Sequence, residues 1–312
     1  MPTVKKGTPA PAQRTHSGRF TEVDQDKLRG GYYTSAEVAD WLCKWAIRSS
    51  KDRVLEPSCG DGAFLRAAVA RYAALGARSS TIARRITGVA ILAAEADRAR
   101  ETLRGSLGAR ADTVVENSDF FSWWKEKPEQ SFDAVIGNPP FIRYQTFPEP
   151  HRSLAMALMA EMGLSPNRLT NIWVPFVVAA VAALRTGGRF GLVLPAELLQ
   201  VTYAAQLRSF LTDRFDRIDI VACNELFFEK AEQEVVLLLA DGLLQAASET
   251  NTCRVTMPET QTVREITSRT PEAGLADAQP KTICHDSEKL LKYFLTEREI
   301  SFMRELRASN AT

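Results

Sequence analysis

The chain has few of the residues that build disulfide scaffolds or metal sites. Its five cysteines are odd in number and widely scattered, and no two of them form a Cys-x-x-Cys pair. The three histidines, His16, His151 and His285, are equally far apart. Disulfide frameworks need paired thiols and structural zinc needs clustered ligands, so the sequence predicts neither a disulfide scaffold nor a bound metal.

Long apolar runs and a charge excess of one sign are also missing. The longest apolar run, Val174 to Leu184, is well short of the roughly 20 residues that a membrane helix needs. Residues 1–19 lack the apolar stretch of a signal peptide. The sequence therefore predicts a cytoplasmic protein with no membrane partner. The 39 Lys and Arg against 38 Asp and Glu give a net charge of +1, which neither indicates nor excludes a polyanionic partner.

Short β-branched runs alternate with helical stretches through most of the 312 residues. This alternation predicts crossover units, and hence a doubly wound α/β domain with a mostly parallel seven-stranded sheet. Residues 1–28, rich in Pro, Thr, Lys and Arg, are predicted to be a flexible tail. The predicted strands are Arg53–Glu56, Thr87–Ile91, Thr113–Glu116, Asp133–Ile136, Phe190–Leu194, Ile218–Ala222 and Val235–Leu239. The predicted helices are Ala36–Ile47, Ala63–Leu75, Ala94–Leu107, Ile172–Leu184 and Leu198–Thr212.

A glycine-containing turn follows the first predicted strand. It reads Glu56-Pro57-Ser58-Cys59-Gly60-Asp61-Gly62, with an acid before two glycines. In open α/β sheets ligands bind at the carboxyl ends of the strands, and glycine lets a ligand approach the backbone. The spacing matches neither the dinucleotide fingerprint nor the phosphate loop. An acid here suits a ligand with a cationic amino-acid end and would repel a pyrophosphate, whereas Cys59 is expected to be a small packing residue.

A second acid, in the pair Asp119-Phe120, follows the third predicted strand. Its carboxylate is suited to accept the amino group of an adenine, and the ring is suited to lie on the adenine face. Taken alone, the pair is explained equally well by a surface aspartate beside a core phenylalanine.

The fourth predicted strand ends in Asn138-Pro139-Pro140-Phe141. Adjacent prolines donate no ladder hydrogen bonds, so the strand must stop and present Asn138 at the edge of the sheet. An aromatic amine is a poor nucleophile because its lone pair is delocalised. The Asn138 side-chain oxygen and the Pro139 carbonyl are expected to accept its two N–H bonds, while Phe141 stacks on the base. A Pro-Pro pair is usually only a turn, but this position favours catalysis.

Together these motifs resemble those of the gamma-class amino-methyltransferases of bacterial restriction-modification systems, the Eco57I/TaqI-like group. The resemblance covers about residues 30–240. Gly31-Tyr32-Tyr33-Thr34 resembles the family's N-terminal cofactor motif, and residues 56–62 resemble its methionine-binding loop. Asp119-Phe120 resembles its adenine-binding pair, and residues 138–141 match its Asn-Pro-Pro-aromatic catalytic motif. Phe227 resembles the aromatic residue that packs against the flipped base.

The resemblance implies a Rossmann-like S-adenosylmethionine-dependent methyltransferase fold, with methyl transfer to N6 of a flipped adenine in DNA. It implies a catalytic domain over residues 29–245. Residues 246–312 would form a linker and the start of a truncated target-recognition region. Because family members continue into a full region of that kind, the chain is expected to be a fragment, a degenerate copy, or half of a split enzyme with a separate specificity subunit.

The chain departs from the family at the end of the second strand. Where the family reads Gly-Val-Glu-Ile-Asp, this chain reads Gly88-Val89-Ala90-Ile91-Leu92. Ala90 therefore stands where the family has an acid that binds the cofactor ribose. Losing such a contact costs about 1–3 kcal/mol, or roughly tenfold to a hundredfold in affinity. Glu95 is the candidate replacement, although it lies a helical turn or more away.

Three other functions compete with the DNA adenine reading. The Asn-Pro-Pro-aromatic motif also serves enzymes that methylate ribosomal RNA or a protein glutamine, and cytosine N4 is a further possible target. Residues 31–34 and 56–62 favour the DNA group, and cytosine enzymes more commonly begin the motif with Ser. A catalytically silent DNA-binding or partner-binding remnant is the third alternative. The intact Asn138-Pro139-Pro140-Phe141 motif argues against complete decay.

Overall fold

A computed structural model describes residues 34–126, 132–165, 170–199, 204–223, 235–244, 261–266 and 281–282, together with 298, 299 and 302. The strands are β1 Val54–Glu56, β2 Ile86–Ala90, β3 Val115–Asn117, β4 Phe132–Gly137, β5 Leu184–Pro195, β6 Phe215–Cys223, β7 Val235–Leu243, β8 Gln261–Ile266 and β9 Lys281–Thr282. The helices are α1 Ala36–Ala46, α2 Ala63–Ala74, α3 Ser79–Ile82, α4 Ala93–Leu107, α5 Phe120–Glu126, α6 His151–Glu161, α7 Trp173–Ala183 and α8 Ala205–Thr212.

The described strands form one sheet in the order β3-β2-β1-β4-β5-β7-β6-β8-β9. Strands β1 to β5 all run parallel to one another, and β7 lies antiparallel between β5 and β6. The predicted mostly parallel arrangement of seven strands is therefore confirmed for β1–β7. Two strands that the sequence did not predict extend the edge, because β8 pairs in parallel with β6 and β9 pairs with β8. Both fall within residues 246–312, and the division into domains stays a prediction.

Several element boundaries differ from the predicted ones for local reasons. Leu184 already pairs with Phe132 at the start of β5, before an irregularity in register that ends where Arg189 pairs with Ala134. The predicted start at Phe190 missed this earlier pairing. Residues 196–199 form a 3₁₀ turn, and α8 begins only at Ala205. Helices α5 and α6 had no counterpart among the predicted helices.

The helices lie on both faces of the sheet, which confirms the doubly wound prediction. Along β4, Val135 belongs to one apolar core while Ala134 and Ile136 belong to the other, as alternation across a strand requires. The core containing Ile136 also includes buried residues of α1, α2 and α4, and the core containing Val135 includes α7. Each face of the central strands is therefore covered by apolar side chains.

The longest apolar run of the sequence becomes the core helix α7. Every residue of this helix except Ala182 is buried, as expected for a helix that is apolar on all sides. Among the described residues, no helix is long and apolar enough to cross a membrane. Helix α1 is amphipathic instead, and the Ser35 side chain caps it by accepting a hydrogen bond of 3.3 Å from the Val38 N–H.

The strand order reverses between β1 and β4, and this reversal positions the functional site. From β1 the chain continues to β2, which lies towards one edge of the sheet, and from β4 it continues to β5, which lies towards the other edge. The loops that follow β1 and β4 therefore diverge and leave a crevice at the carboxyl ends of the two strands, where open α/β sheets bind their ligands. Glu56 ends β1, and Asn138 directly follows β4.

A buried ion pair connects the end of α1, β5 and the segment before β1. The Arg189 guanidinium on β5 donates to the Asp52 carboxylate, and the two side chains are only 8% and 10% exposed. Arg189 also donates to the Ala46 carbonyl at the end of α1. Asp52 additionally accepts backbone hydrogen bonds from Arg48 at 2.9 Å and Ser49 at 3.2 Å. Each buried charge is thus compensated by several groups.

Replacing Asp52 by asparagine is expected to lower the free energy of unfolding by about 3–5 kcal/mol, because the Arg189 guanidinium would stay buried without its counter-charge. Urea unfolding at neutral pH measures the change. Asp97→Asn is the matched control, since Asp97 is 74% exposed and pairs with Arg100 at the surface, where a loss of about 0–1 kcal/mol is expected. Equal losses in the two variants would contradict a structural role of the buried pair.

Candidate cofactor and catalytic site

A cavity of about 340 Å³ lies at the carboxyl ends of β1, β2 and β4. Its volume falls within the roughly 300–1,000 Å³ that is usual for small-molecule sites. The walls come from the loop after β1, the end of β2, the start of α5 and the segment after β4. Most of the predicted site residues that the structure describes line this cavity: Thr34, Glu56, Pro57, Ser58, Cys59, Gly60, Asp119, Phe120, Asn138 and Pro140.

Three predicted site residues lie beside the cavity and do not line it. Pro139 is buried, and Phe141 is partly buried and packs against both apolar cores. Gly62 has φ +89°, and a Cβ there would lie 3.1 Å from the Ala99 backbone, so this glycine allows α2 and α4 to approach closely. Tyr32, Tyr33 and Phe227 lie outside the described residues.

Glu56 is a carboxylate held in the core at the cavity wall. The residue is 2% exposed, and its Oε2 atom is buried and accepts no hydrogen bond from the described residues. Burial, followed by the nearby Asp61 carboxylate, raises the pKa of Glu56 well above its usual value. Because a cationic ligand would stabilise the charged form, this side chain is suited to receive an ammonium group.

Asn138 is held by hydrogen bonds to residues of two other predicted motifs. Its Nδ2 donates to Thr34 Oγ1 at 3.2 Å, and Ser58 Oγ donates to the Asn138 backbone carbonyl at 3.3 Å. An amide that donates through Nδ2 directs its Oδ1 to the other side, so the Thr34 contact fixes the direction of this acceptor. Three segments distant in sequence therefore meet at one residue.

Gly137 lets the catalytic segment pass close to the buried acid. Its φ of +147° favours glycine, and a Cβ at this position would lie 3.4 Å from Glu56 Cγ. A larger residue would strain the backbone directly before Asn138. The end of β4 and the end of β1 are therefore packed against each other at the point where the two candidate functional side chains emerge.

Asp119 is held by the helix that it begins. Its Oδ1 accepts from the Ser122 N–H at 2.8 Å and from the Ser122 hydroxyl at 3.0 Å, as in a helix cap. The Nδ1 atom of His151, the first residue of α6, lies 3.1 Å from the same oxygen. The side chain is only 5% exposed. These contacts gather on Oδ1, so Oδ2 is the oxygen better placed to accept a further donor.

Acidic residues outnumber basic ones among the residues that line the cavity. Its carboxylates are Glu56, Asp61, Glu95 and Asp119, and its described lining contains no Lys, Arg or His. Such a lining favours a ligand that carries positive charge. Asp61 was not predicted as a site residue, although it lies within the quoted glycine-containing turn. Across the described chain, no group of three or more His, Cys, Asp or Glu side chains is arranged to hold a metal ion.

Apolar walls complete the cavity, and most of them were not predicted from the sequence. Ile142, Phe147 and Pro148 follow the Asn-Pro-Pro-Phe segment, while Phe176 comes from the core helix α7 and stacks on Phe120 with ring centroids 5.5 Å apart. No local pattern marks Phe176, because only the packing of α7 brings it to the site. These side chains offer an apolar surface next to Asp119 that suits a planar ring.

Cys59 lies in the cavity wall as a packing residue. It is 4% exposed, and burial, followed by the Glu56 carboxylate, raises the pKa of its thiol well above the usual value. A thiol with a raised pKa is a poor nucleophile at neutral pH.

The fold is that of S-adenosylmethionine-dependent methyltransferases. The chain superposes on a protein from Listeria monocytogenes described as a class I methyltransferase of this kind, with a TM-score of 0.55 and 16% identity, over 77% of this chain and 67% of that one. The M protein of the type I restriction enzyme EcoKI gives a TM-score of 0.52 at 15% identity, over 80% and 52%. DrdV in its complex with DNA gives 0.63 at 11% identity, over 89% and 32%.

The sequence comparisons find similarity to restriction-modification methylases. Residues 78–227 match the Eco57I restriction-modification methylase model. The type II methyltransferase M.PaeR7I of Pseudomonas aeruginosa is 29% identical over 61% of this chain and 36% of its own length. M.TthHB8I of Thermus thermophilus is 31% identical over 61% and 40%. Over the matched residues the chain is therefore similar to Eco57I-type restriction-modification methylases, and it spans about two fifths or less of the length of these two relatives.

Glu56→Gln is expected to stabilise the ligand-free protein above about pH 4.3, the usual pKa of glutamate. The raised pKa keeps the folded carboxyl protonated while the unfolded one ionises, so wild-type stability falls with rising pH until the folded pKa is reached. Within that window the advantage of Glu56→Gln grows by at most about 1.4 kcal/mol per pH unit. Urea unfolding between pH 4.5 and about 8 measures it.

The control for this series is Glu101→Gln, because Glu101 is 76% exposed and lies on the surface of α4. Because solvent screens an exposed charge, this variant should unfold with nearly the wild-type free energy throughout the series. If the Glu56→Gln curve also ran parallel to the wild-type curve, Glu56 would titrate alike in the folded and unfolded chains, and the burial argument would fail.

Proposed function

We propose that the protein transfers the methyl group of S-adenosylmethionine to N6 of an adenine in DNA. The observation that carries this proposal is the meeting of Glu56 and Asn138 in one acid-lined cavity, across the reversal of strand order between β1 and β4. The first side chain suits the ammonium end of the cofactor, and the second suits an amino group that is to be methylated.

Cofactor binding follows from the distribution of charge along the cavity. The buried Oε2 of Glu56 would accept the ammonium group, and Asp119 would accept the adenine amino group beside the Phe120 ring. When bound, S-adenosylmethionine supplies a methyl group activated by a sulfonium charge. The acidic lining would favour that positive charge, and the absence of bases from the described lining avoids repelling it.

Asn138 would activate the target amine by accepting one of its N–H bonds. Because Asn138 Nδ2 donates to Thr34, the side-chain amide is held in place. Its Oδ1 is therefore preorganised and needs little reorientation when the base arrives. The Pro139 carbonyl is the second proposed acceptor. With both N–H bonds accepted, the nitrogen lone pair would be less delocalised into the ring. Methyl transfer would form the N–C bond as the S–CH3 bond of the sulfonium breaks, leave a neutral thioether, and release one amine proton to solvent. Phe141 and Phe227 are the residues proposed to stack on the base.

The proposal of DNA as the substrate is supported by the names of the similar proteins. The curated relatives are type II methyltransferases, and DrdV was solved in complex with DNA. These names favour DNA over ribosomal RNA or a protein glutamine. The chain matches at most two fifths of the lengths of M.PaeR7I and M.TthHB8I. We therefore also propose that target recognition requires further protein, such as a specificity subunit.

The test measures transfer of labelled methyl from S-adenosylmethionine to unmethylated genomic DNA, followed by digestion to nucleosides. The wild type should produce N6-methyladenine. Asn138→Ala should lower the rate by on the order of a hundredfold, as expected when one preorganised polar contact to the reacting group is lost. Ribosomal RNA, bulk protein and cytosine N4 are assayed in parallel, and label in any of them would move the substrate assignment there.

Thermal shifts with S-adenosylhomocysteine separate a silent remnant from an enzyme that lacks a partner. A ligand that binds only the folded state stabilises it by RT ln(1 + c/Kd) at a free ligand concentration c, so the unfolding temperature rises with the ligand concentration. A wild type that is stabilised but transfers no methyl would indicate that transfer requires further protein, as proposed above. If the wild type showed neither stabilisation nor transfer, the proposed function would be wrong.

A further inference from the structure

The order of the strands fixes the order of ligand groups along the cavity. β2 lies between β1 and β3 in the sheet. Under the proposed function, the amino-acid end of the cofactor meets Glu56 at the end of β1, and its adenine meets Asp119 after β3. The sugar connects these two ends, so it must pass over the end of β2.

The end of β2 offers no side-chain acceptor for sugar hydroxyls. The side chains that line the cavity here are those of Val89, Ala90, Ile91 and Leu92, which are all apolar. The backbone carbonyl of Ala90 already accepts from Asn117 Nδ2 at 2.9 Å, and that of Ile91 accepts from the same nitrogen at 3.2 Å. Ala90 is also 3% exposed, so the position is packed. A vicinal diol placed here would lose its hydrogen bonds to water without replacement, which is unfavourable.

Helix α4, which follows β2, places the carboxylate of Glu95 in the same part of the cavity wall. Glu95 lies in the first turn of α4, which begins directly after the apolar strand end, and it lines the same cavity. Its N–H donates to the Leu92 carbonyl at 3.0 Å, so the helical turn folds back towards the end of β2. The residue is half-buried, which leaves part of the side chain accessible to a ligand.

We propose that Glu95 binds the ribose hydroxyls of the cofactor, in place of an acid at position 90. A carboxylate has two oxygens with several lone pairs and can accept from both hydroxyls of a vicinal diol. The carboxylate that binds the ribose would thus lie in the first turn of α4 and not at the end of β2. This inference rests on the proposed function, because that function defines which end of the cofactor lies at each strand.

Calorimetric titration tests the assignment with two ligands, S-adenosylhomocysteine and its 2′,3′-dideoxy analogue. The wild type should bind the parent compound about tenfold to a hundredfold more tightly than the analogue. Glu95→Gln should weaken binding of the parent by a similar factor and leave the analogue nearly unaffected, so the preference disappears. Glu101→Gln, on the surface of the same helix, should preserve the wild-type preference.

The ligand pair separates contact from structure, because an acid in the first helical turn also favours the helix by itself. If Glu95→Gln weakened both ligands equally, or neither, Glu95 would not contact the hydroxyls and the assignment would be overturned while the proposed function stood. Unfolding temperatures of the ligand-free variants check that the fold is intact. A wild type that bound neither ligand would overturn both the assignment and the proposed function.

Discussion

The site depends on the burial of one ionisable carboxylate at the reversal of strand order. Glu56 ends the central strand β1, where the backbone is packed on both sides by β2 and β4 and the side chain has no access to bulk water. Its burial raises the pKa and opposes ionisation, so the ligand-free fold holds a group that a cation would stabilise. The unfavourable burial of Glu56 in the ligand-free protein therefore becomes a source of affinity for a positively charged ligand.

This constraint extends to the catalytic segment through close packing. Gly137 leaves no Cβ between β4 and the Glu56 side chain, so Asn138 emerges directly beside the cofactor end of the cavity. Thr34 and Ser58 then hold its side chain and its carbonyl. Cofactor loop, N-terminal motif and catalytic amide thus form one connected set of contacts, and a shift in any of them would be felt by the others.

The sequence predicted the elements whose signals are local, and it missed those that arise only from packing. Glu56 and Asn138 were predicted because each sits beside glycines or prolines at the end of a periodic apolar run. Phe176 was missed because it belongs to a helix that is apolar throughout, where no residue differs from its neighbours by pattern. The Arg189–Asp52 pair was missed for a related reason, since a buried pair joins residues that are distant in sequence.

The balance of charge argues for a bound cation and against a purely structural cavity. A structural cavity gains nothing from a buried Glu56 beside Asp61, because burial and the neighbouring carboxylate both disfavour the ionised form of Glu56. Replacing Glu56 by an uncharged residue of the same shape would relieve the fold. A sulfonium compound with an ammonium group would instead turn this mutual repulsion into attraction. Burial of Glu56 lowers the stability of the ligand-free protein. A bound cation would remove that cost, and the difference would contribute to the free energy of binding.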